Sequence, residues 1–232
     1  MSTSSIALLA TSTASLVAPI VTPVVRDGAA LRSELISHLH PGTRTALVPG
    51  SLLFSLVEQL EQLGSLPSSS AMLYFALDGH WEQRAWSTPF DAGFDAQTVA
   101  QLASTSAEVL SVTQSFVGTD VSTTAEFTVV EEALHGALSV SSRLGMTSRP
   151  DTCNFFTGAQ ALSFSCMPKD VQLSALLDAL HSQLGAEMRA AENVRLGMQT
   201  TYIDDDIRIT RCLTRSLAGA CTVYVRCKGK SK

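Results

Sequence analysis

From Gly79 onward the spacing of apolar residues changes from a helical period to a period of two, and this constrains the fold more than any motif does. A chain that alternates apolar and polar side chains over many short runs must bury one face of each run. "GHWEQRAWST" is the first such run, and Val109 to Val117 follows with Leu110, Val112, Gln114 and Phe116 on one face. Ala125 to Val129, Ala137 to Met146 and Asn154 to Cys166 continue it, separated by Gly, Pro, Asn and Asp turn residues. Many short strands at this spacing favour a closed antiparallel barrel over a parallel α/β sheet.

Helices flank the β region. "DGAALRSELISHLH" has Ala30, Leu31, Leu35, Ile36 and Leu39 near amphipathic spacing, with Asp27 as N-cap and Pro41-Gly42 as the stop. A second helix follows from Leu53, Leu56, Val57, Leu60 and Leu63, ended by Gly64 and Pro67, with "SSS" read as a turn. Between Asp170 and about Ala191, Val171, Leu173, Leu176, Leu177, Leu180, Leu184 and Met188 mark one stripe of an inserted helix. That stripe either lids the barrel mouth or packs outside as a partner surface; the second reading is preferred and makes Leu176, Leu180 and Leu184 the contacts. The expected fold is mainly β with flanking helices (α+β), a lipocalin-like antiparallel β-barrel preceded by two short helices and carrying one inserted helix before the last strands. Residues 1–28 form an arm, 29–227 the domain (helices 29–64, barrel 77–227), and 228–232 a basic tail.

A net charge of -5 and a pI near 5.5 leave no basic face for nucleic acid. Charged residues are only 16% of the chain and hydrophobic ones 45%, which fits a stably folded domain. The five cysteines, Cys153, Cys166, Cys212, Cys221 and Cys227, are odd in number and contain no CxxC, so neither a disulfide framework nor a zinc site is expected. The five histidines form no metal-binding motif either. No membrane span of about 20 unbroken apolar residues exists in the sequence. Residues 1–26 hold no charged side chain before Arg26 and are rich in Ser, Thr and Ala. They read either as a plastid-type transit segment or as a retained extended arm.

Near the C-terminus "TYIDDDIRITR" reads as one strand, with Ile203, Asp205, Ile207, Ile209 and Arg211 on one face and Tyr202, Asp204, Asp206, Arg208 and Thr210 on the other. The second face suits rim ion pairing. A catalytic acid pair would need a pocket and a raised pKa, and only Asp204 and Asp206 share a face. No GxSxG elbow and no phosphate-binding glycine loop is present, so no enzyme activity is expected.

Two stretches resemble the plastid lipid-associated protein family, the fibrillins or plastoglobulins. "TYIDDDIRITR" followed by "CTVYVR" is similar to the family's "TYLDEDLRIxRG" and "FVLxR" strands, and "LDGHWEQRAWST" to its "LDGxWxLxYTT". The likeness spans about Ala29 to Arg226, with its specific motifs at Leu77 to Thr88 and Thr200 to Arg226. It implies a lipocalin-like barrel without chemistry of its own or cofactor, binding apolar molecules or coating lipid bodies, in a plastid. Gly79-His80-Trp81 also resembles the lipocalin GxW, whose Trp closes the barrel base beneath an Arg; Arg208, Arg211 and Arg226 are the possible partners, with Asp204 and Asp206 beside them.

Two functions follow as expectations. In one, Trp81, Phe116, Phe127, Leu138, Val140, Phe164, Ile207 and Ile209 line an interior that holds a hydrophobic small molecule, or the protein binds a lipid surface. In the other, the barrel is filled by its own side chains, and the protein is a structural subunit bound to other proteins, in another organelle or a cytosolic or cytoskeletal assembly.

Overall fold

The computed structural model describes residues 27–64, 66–87, 107–129, 134–165, 173–181, 183–189, 193–214 and 217–227. The transit-like segment and the basic tail lie outside them, apart from Asp27 and Gly28, as do Val171 and Cys166. Helices α1 (Gly28–His38) and α2 (Leu52–Leu63) start at the caps the sequence offers. Asp27 accepts from the Ala29 N–H and Ser51 from the Phe54 N–H, while Gly64 ends α2 in the left-handed conformation. A third helix, α3 (Ser70–Leu77), begins where a turn was expected, because the Ser69 side chain accepts from the Met72 N–H.

The strands are β1 (Thr45–Ala46), β2 (Gly79–Trp86), β3 (Ala107–Val117), β4 (Asp120–Val129), β5 (Leu134–Met146), β6 (Thr152–Phe164), β7 (Arg195–Ile203), β8 (Ile207–Cys212) and β9 (Cys221–Arg226). From β2 to β9 they pair antiparallel in chain order, and the pairing of β2 with β9 closes an eight-stranded barrel; β1 adds to β2 in parallel. The lipocalin-like α+β barrel is therefore the fold. Closure removes the exposed edges that an open sheet of this length would carry.

Two sequence expectations are corrected. The stretch from Thr200 to Arg211 is a hairpin, not one strand. Asp204 Oδ1 accepts the N–H groups of Asp206 and Ile207, both at 2.7 Å, and this side-chain turn separates β7 from β8. The inserted helix is two helices, α4 (Leu173–His181) and α5 (Ala186–Arg189), interrupted around Gly185.

Three apolar clusters form. Ile207 and Ile209 face out of the barrel, where they join Ala85, Cys221 and Val223 beneath Leu35, Leu56 and Leu60 of α1 and α2. A second cluster, around Trp81, Phe116 and Tyr224, fills one end of the barrel beneath Leu73 and Leu77 of α3. In the third, Leu176, Leu180, Leu184 and Met188 insert among Val112, Ala125, Phe127, Leu138 and Val140 at the other end.

Candidate functional site: the barrel interior and its ends

Barrel closure is built around Trp81. Its indole N–H donates to the Leu77 carbonyl at 2.7 Å, and the Arg226 guanidinium lies 4.1 Å from the ring centroid. Arg226 also donates to the carbonyls of Asp205, Asp78 and Ala76 at 2.9, 2.7 and 2.6 Å, so it ties the β7–β8 turn to the end of α3. Gly79 permits this approach: its φ is +110°, and a Cβ there would stand 3.2 Å from Arg226 Nη1. Arg208 reaches the same Trp from inside the barrel, at 5.2 Å. Arg211 does not. It points outward and donates Nε and Nη2 to the two Glu61 oxygens at 2.7 and 2.6 Å, a bidentate pair that raises its pKa. Asp204 and Asp206 both pair with Arg32 of α1.

The residues expected to line the interior divide by location. Trp81, Phe116, Phe127, Leu138 and Val140 are inside and buried, and Phe164 packs partly buried against Phe127, edge to face, with centroids 6.0 Å apart. Ile207 and Ile209 are outside the barrel, because the hairpin turn sets the phase of β8 so that Arg208 and Thr210 point in. Leu176, Leu180 and Leu184 are not a partner surface: all three are buried within the barrel mouth. Among the described residues the inward apolar side chains form the two clusters at the ends of the barrel.

One wall of that interior is polar, which the sequence reading missed. Gln83, Tyr224 and Arg208 are register neighbours across β2, β9 and β8, and Thr222 pairs with Thr210 in the next row. Tyr224 donates to Glu187 Oε1 at 3.1 Å, and Arg208 donates to Gln114, which donates on to Thr123 at 2.9 Å. Gln83 accepts from Arg44 at 3.2 Å, and the Arg44 guanidinium, 4.4 Å from the Trp86 ring, is pulled down to about 10 by burial. The alternation of Gln83 with Trp81 and of Gln114 with Phe116 was the available signal. Burial pushes the Cys153 and Cys221 thiols up to about 12, so neither is a ready nucleophile.

Gln183, also missed, fastens the mouth. Its side chain donates to the Ala107 carbonyl at 2.9 Å and accepts from the Val109 N–H at 3.1 Å, as a neighbouring strand would, while its own carbonyl accepts from Arg44.

At the opposite end the surface is apolar. Phe75 is 84% exposed, Val117 71%, Met146 66% and Met72 56%. Tyr74, Phe75, Asp78, Leu144 and Met146, with the Gly118–Thr119 turn, line a groove of about 510 Å3. Among the described residues no group of three His, Cys, Asp or Glu side chains could hold a metal ion, and no helix is long and apolar enough to cross a membrane. No protein-family model and no curated protein matches the chain.

Proposed function

We propose that the protein is a non-enzymatic, lipocalin-like barrel of the plastid lipid-associated type that binds a lipid surface with the α3 end of the barrel. The observation that carries this reading is Phe75, 84% exposed on a closed barrel and flanked by Met72, Val117 and Met146. Fully burying such a side chain in an apolar phase contributes about 1.5–3 kcal/mol. These side chains come from a helix, a hairpin and a strand end, and together they form separate projecting tips, a shape suited to penetrating a lipid layer.

Charge favours an uncharged lipid. Among the described residues the exposed arginines Arg143 and Arg149 are matched, with Asp120 at 3.6 Å and Asp151 at 3.1 Å, so these residues present no basic ring to anionic headgroups. The start of α1 is tied to the same end. Arg32 holds the Asp204–Asp206 turn, Arg226 links that turn to α3, and Asp27 lies about 7.5 Å along the helix from Arg32 at 1.5 Å per residue. Residues 1–25 carry no charged side chain. Their transit-like composition supports a plastid location.

Flotation with phosphatidylcholine vesicles tests the proposal. The double variant Phe75→Asp/Met146→Asp is expected to keep the wild-type melting temperature and lose most of its vesicle binding. Undiminished flotation would remove the α3 end from the account. The side chains buried inside the barrel also fit a second reading, a structural subunit that uses the same end against another protein; wild-type protein that stays off vesicles but migrates in a larger native complex, lost in the double variant, would select it.

A further inference from the structure

The barrel satisfies its arginines unevenly, and the exception is the most deeply placed. Arg211 has both oxygens of Glu61, and Arg226 has three backbone carbonyls. Arg208 is 1% exposed and donates a single hydrogen bond, to Gln114. Its Nε has no partner, and among the described residues no carboxylate pairs with it. Aromatic faces hold the guanidinium instead, with Tyr224, Phe116 and Trp81 centroids at 4.1, 4.8 and 5.2 Å. Stacking of this kind fixes the plane of the group and, beyond the bond to Gln114, leaves its Nε edge unused.

The unused edge has company. Thr210, the next inward residue of β8, is buried with its hydroxyl unpartnered. Glu187 acts on Arg208 through space, but its Oε1 is taken by Tyr224, and its unpartnered Oε2 lies against Gly185, a glycine that Thr222 and the Gln83 amide also approach. The charge of Arg208 is therefore desolvated without a bonded counter-charge, an arrangement that proteins otherwise complete with an anion or a paired carboxylate.

We propose that the closed barrel contains a buried carboxylate-binding site in which Arg208 Nε and the Thr210 hydroxyl donate to one small carboxylate group, with Tyr224, Phe116 and Trp81 as its walls. The site lies inside the barrel beneath α3 and uses none of the exposed side chains on which the lipid-binding reading rests. With Leu176, Leu180 and Leu184 buried in the mouth, a small acid is the ligand proposed; the end of a long acyl chain reaches Arg208 only if α4 moves.

The test is a titration of the full chain with sodium formate at constant ionic strength held by sodium sulfate, following the Arg208 Nε–H signal in 1H–15N spectra, assigned by Arg208→Lys. The expected result is a saturable shift of that signal with a parallel rise in melting temperature, and about tenfold weaker binding in Thr210→Val, the loss of one hydrogen bond to a charged group. Thr210→Val retains the wild-type signal, so the test survives if Arg208→Lys does not fold. A parallel titration with sodium decanoate separates the sources: a shift of the same signal together with those of the Leu176 and Leu180 methyl groups assigns the carboxylate to an acyl chain that displaces α4, and a response to formate alone assigns it to a free small acid. An Arg208 signal that ignores both acids, or that shows only contact with an ordered water, overturns the proposal.

Discussion

Gly136 sits on β5 where the strand passes the edge of the Phe127 ring. A Cβ there would lie 2.8 Å from Phe127 Cε2 and 2.8 Å from the Ser163 carbonyl oxygen, one a buried ring and the other backbone, and neither can retreat. Gly136→Ala is therefore expected to lower stability by about 1–3 kcal/mol, read from urea denaturation. Asp151 gives a residue-scale prediction of another kind. Burial alone would raise its pKa, but hydrogen bonds from Gln199, Arg149 and Thr152 bring it below the usual 3.8. Because the folded value is the depressed one, this contribution is complete above about pH 3.8 and disappears as the pH falls through the folded pKa. Asp151→Asn should melt below wild type at pH 7, and the gap should close in the acid range below pH 3.8; a gap independent of pH would mean that the hydrogen bonds do not depend on the charge.

At the scale of elements, legibility followed from whether one face of each segment differs from the other. Capped, periodic helices such as α2 were readable, and so was the alternation of the strands. Helix α3 was not, because Met72, Leu73, Tyr74, Phe75, Ala76 and Leu77 are apolar all the way round and give no stripe. Only Leu73 and Leu77 are buried, and the apolarity that hid the helix is the same apolarity that Met72 and Phe75 present to solvent. In the hairpin, the phase of β8 depends on which atoms Asp204 accepts from, and strand alternation carries no trace of that choice. Half of the interior was legible, Trp81 to Val140, and Gln114 fell on the same face as Val112 and Phe116; Gln83 and Tyr224 went unnoticed because long polar residues on strands are read as outward. For α4 the periodicity found the stripe but had no means of deciding which object it covers. Leu180→Ala settles that choice energetically: a leucine packed in the barrel mouth should lose about 2–5 kcal/mol on thermal or chemical denaturation. A solvent-facing partner residue should lose less than about 0.5 kcal/mol.

Across the whole molecule, the barrel is covered differently on its three sides, and each cover has a distinct physical consequence. α4 and α5 occupy one mouth, and α3 closes the other while exposing Phe75. α1 and α2 lie over the outer wall of β8 and β9, where Ile207, Ile209, Cys221 and Val223 would otherwise form one continuous apolar face. That wall also includes the seam at which β2 meets β9, joining segments far apart in sequence. The helical pair is therefore a cover for the seam as well as for the isoleucines, and Arg211–Glu61 and Arg32–Asp206 fasten it there at two points. Removing residues 1–26 leaves every one of these contacts in place, so a chain starting at Asp27 should stay soluble with an unchanged melting temperature. Removing residues 1–64 strips the cover, and an exposed apolar face of that kind drives association. The expected outcome is soluble monomer for the first truncation and aggregate for the second, measured by size-exclusion chromatography after refolding. A monomeric, folded chain lacking residues 1–64 would show instead that the barrel closes without help and that α1 and α2 serve some purpose other than covering it.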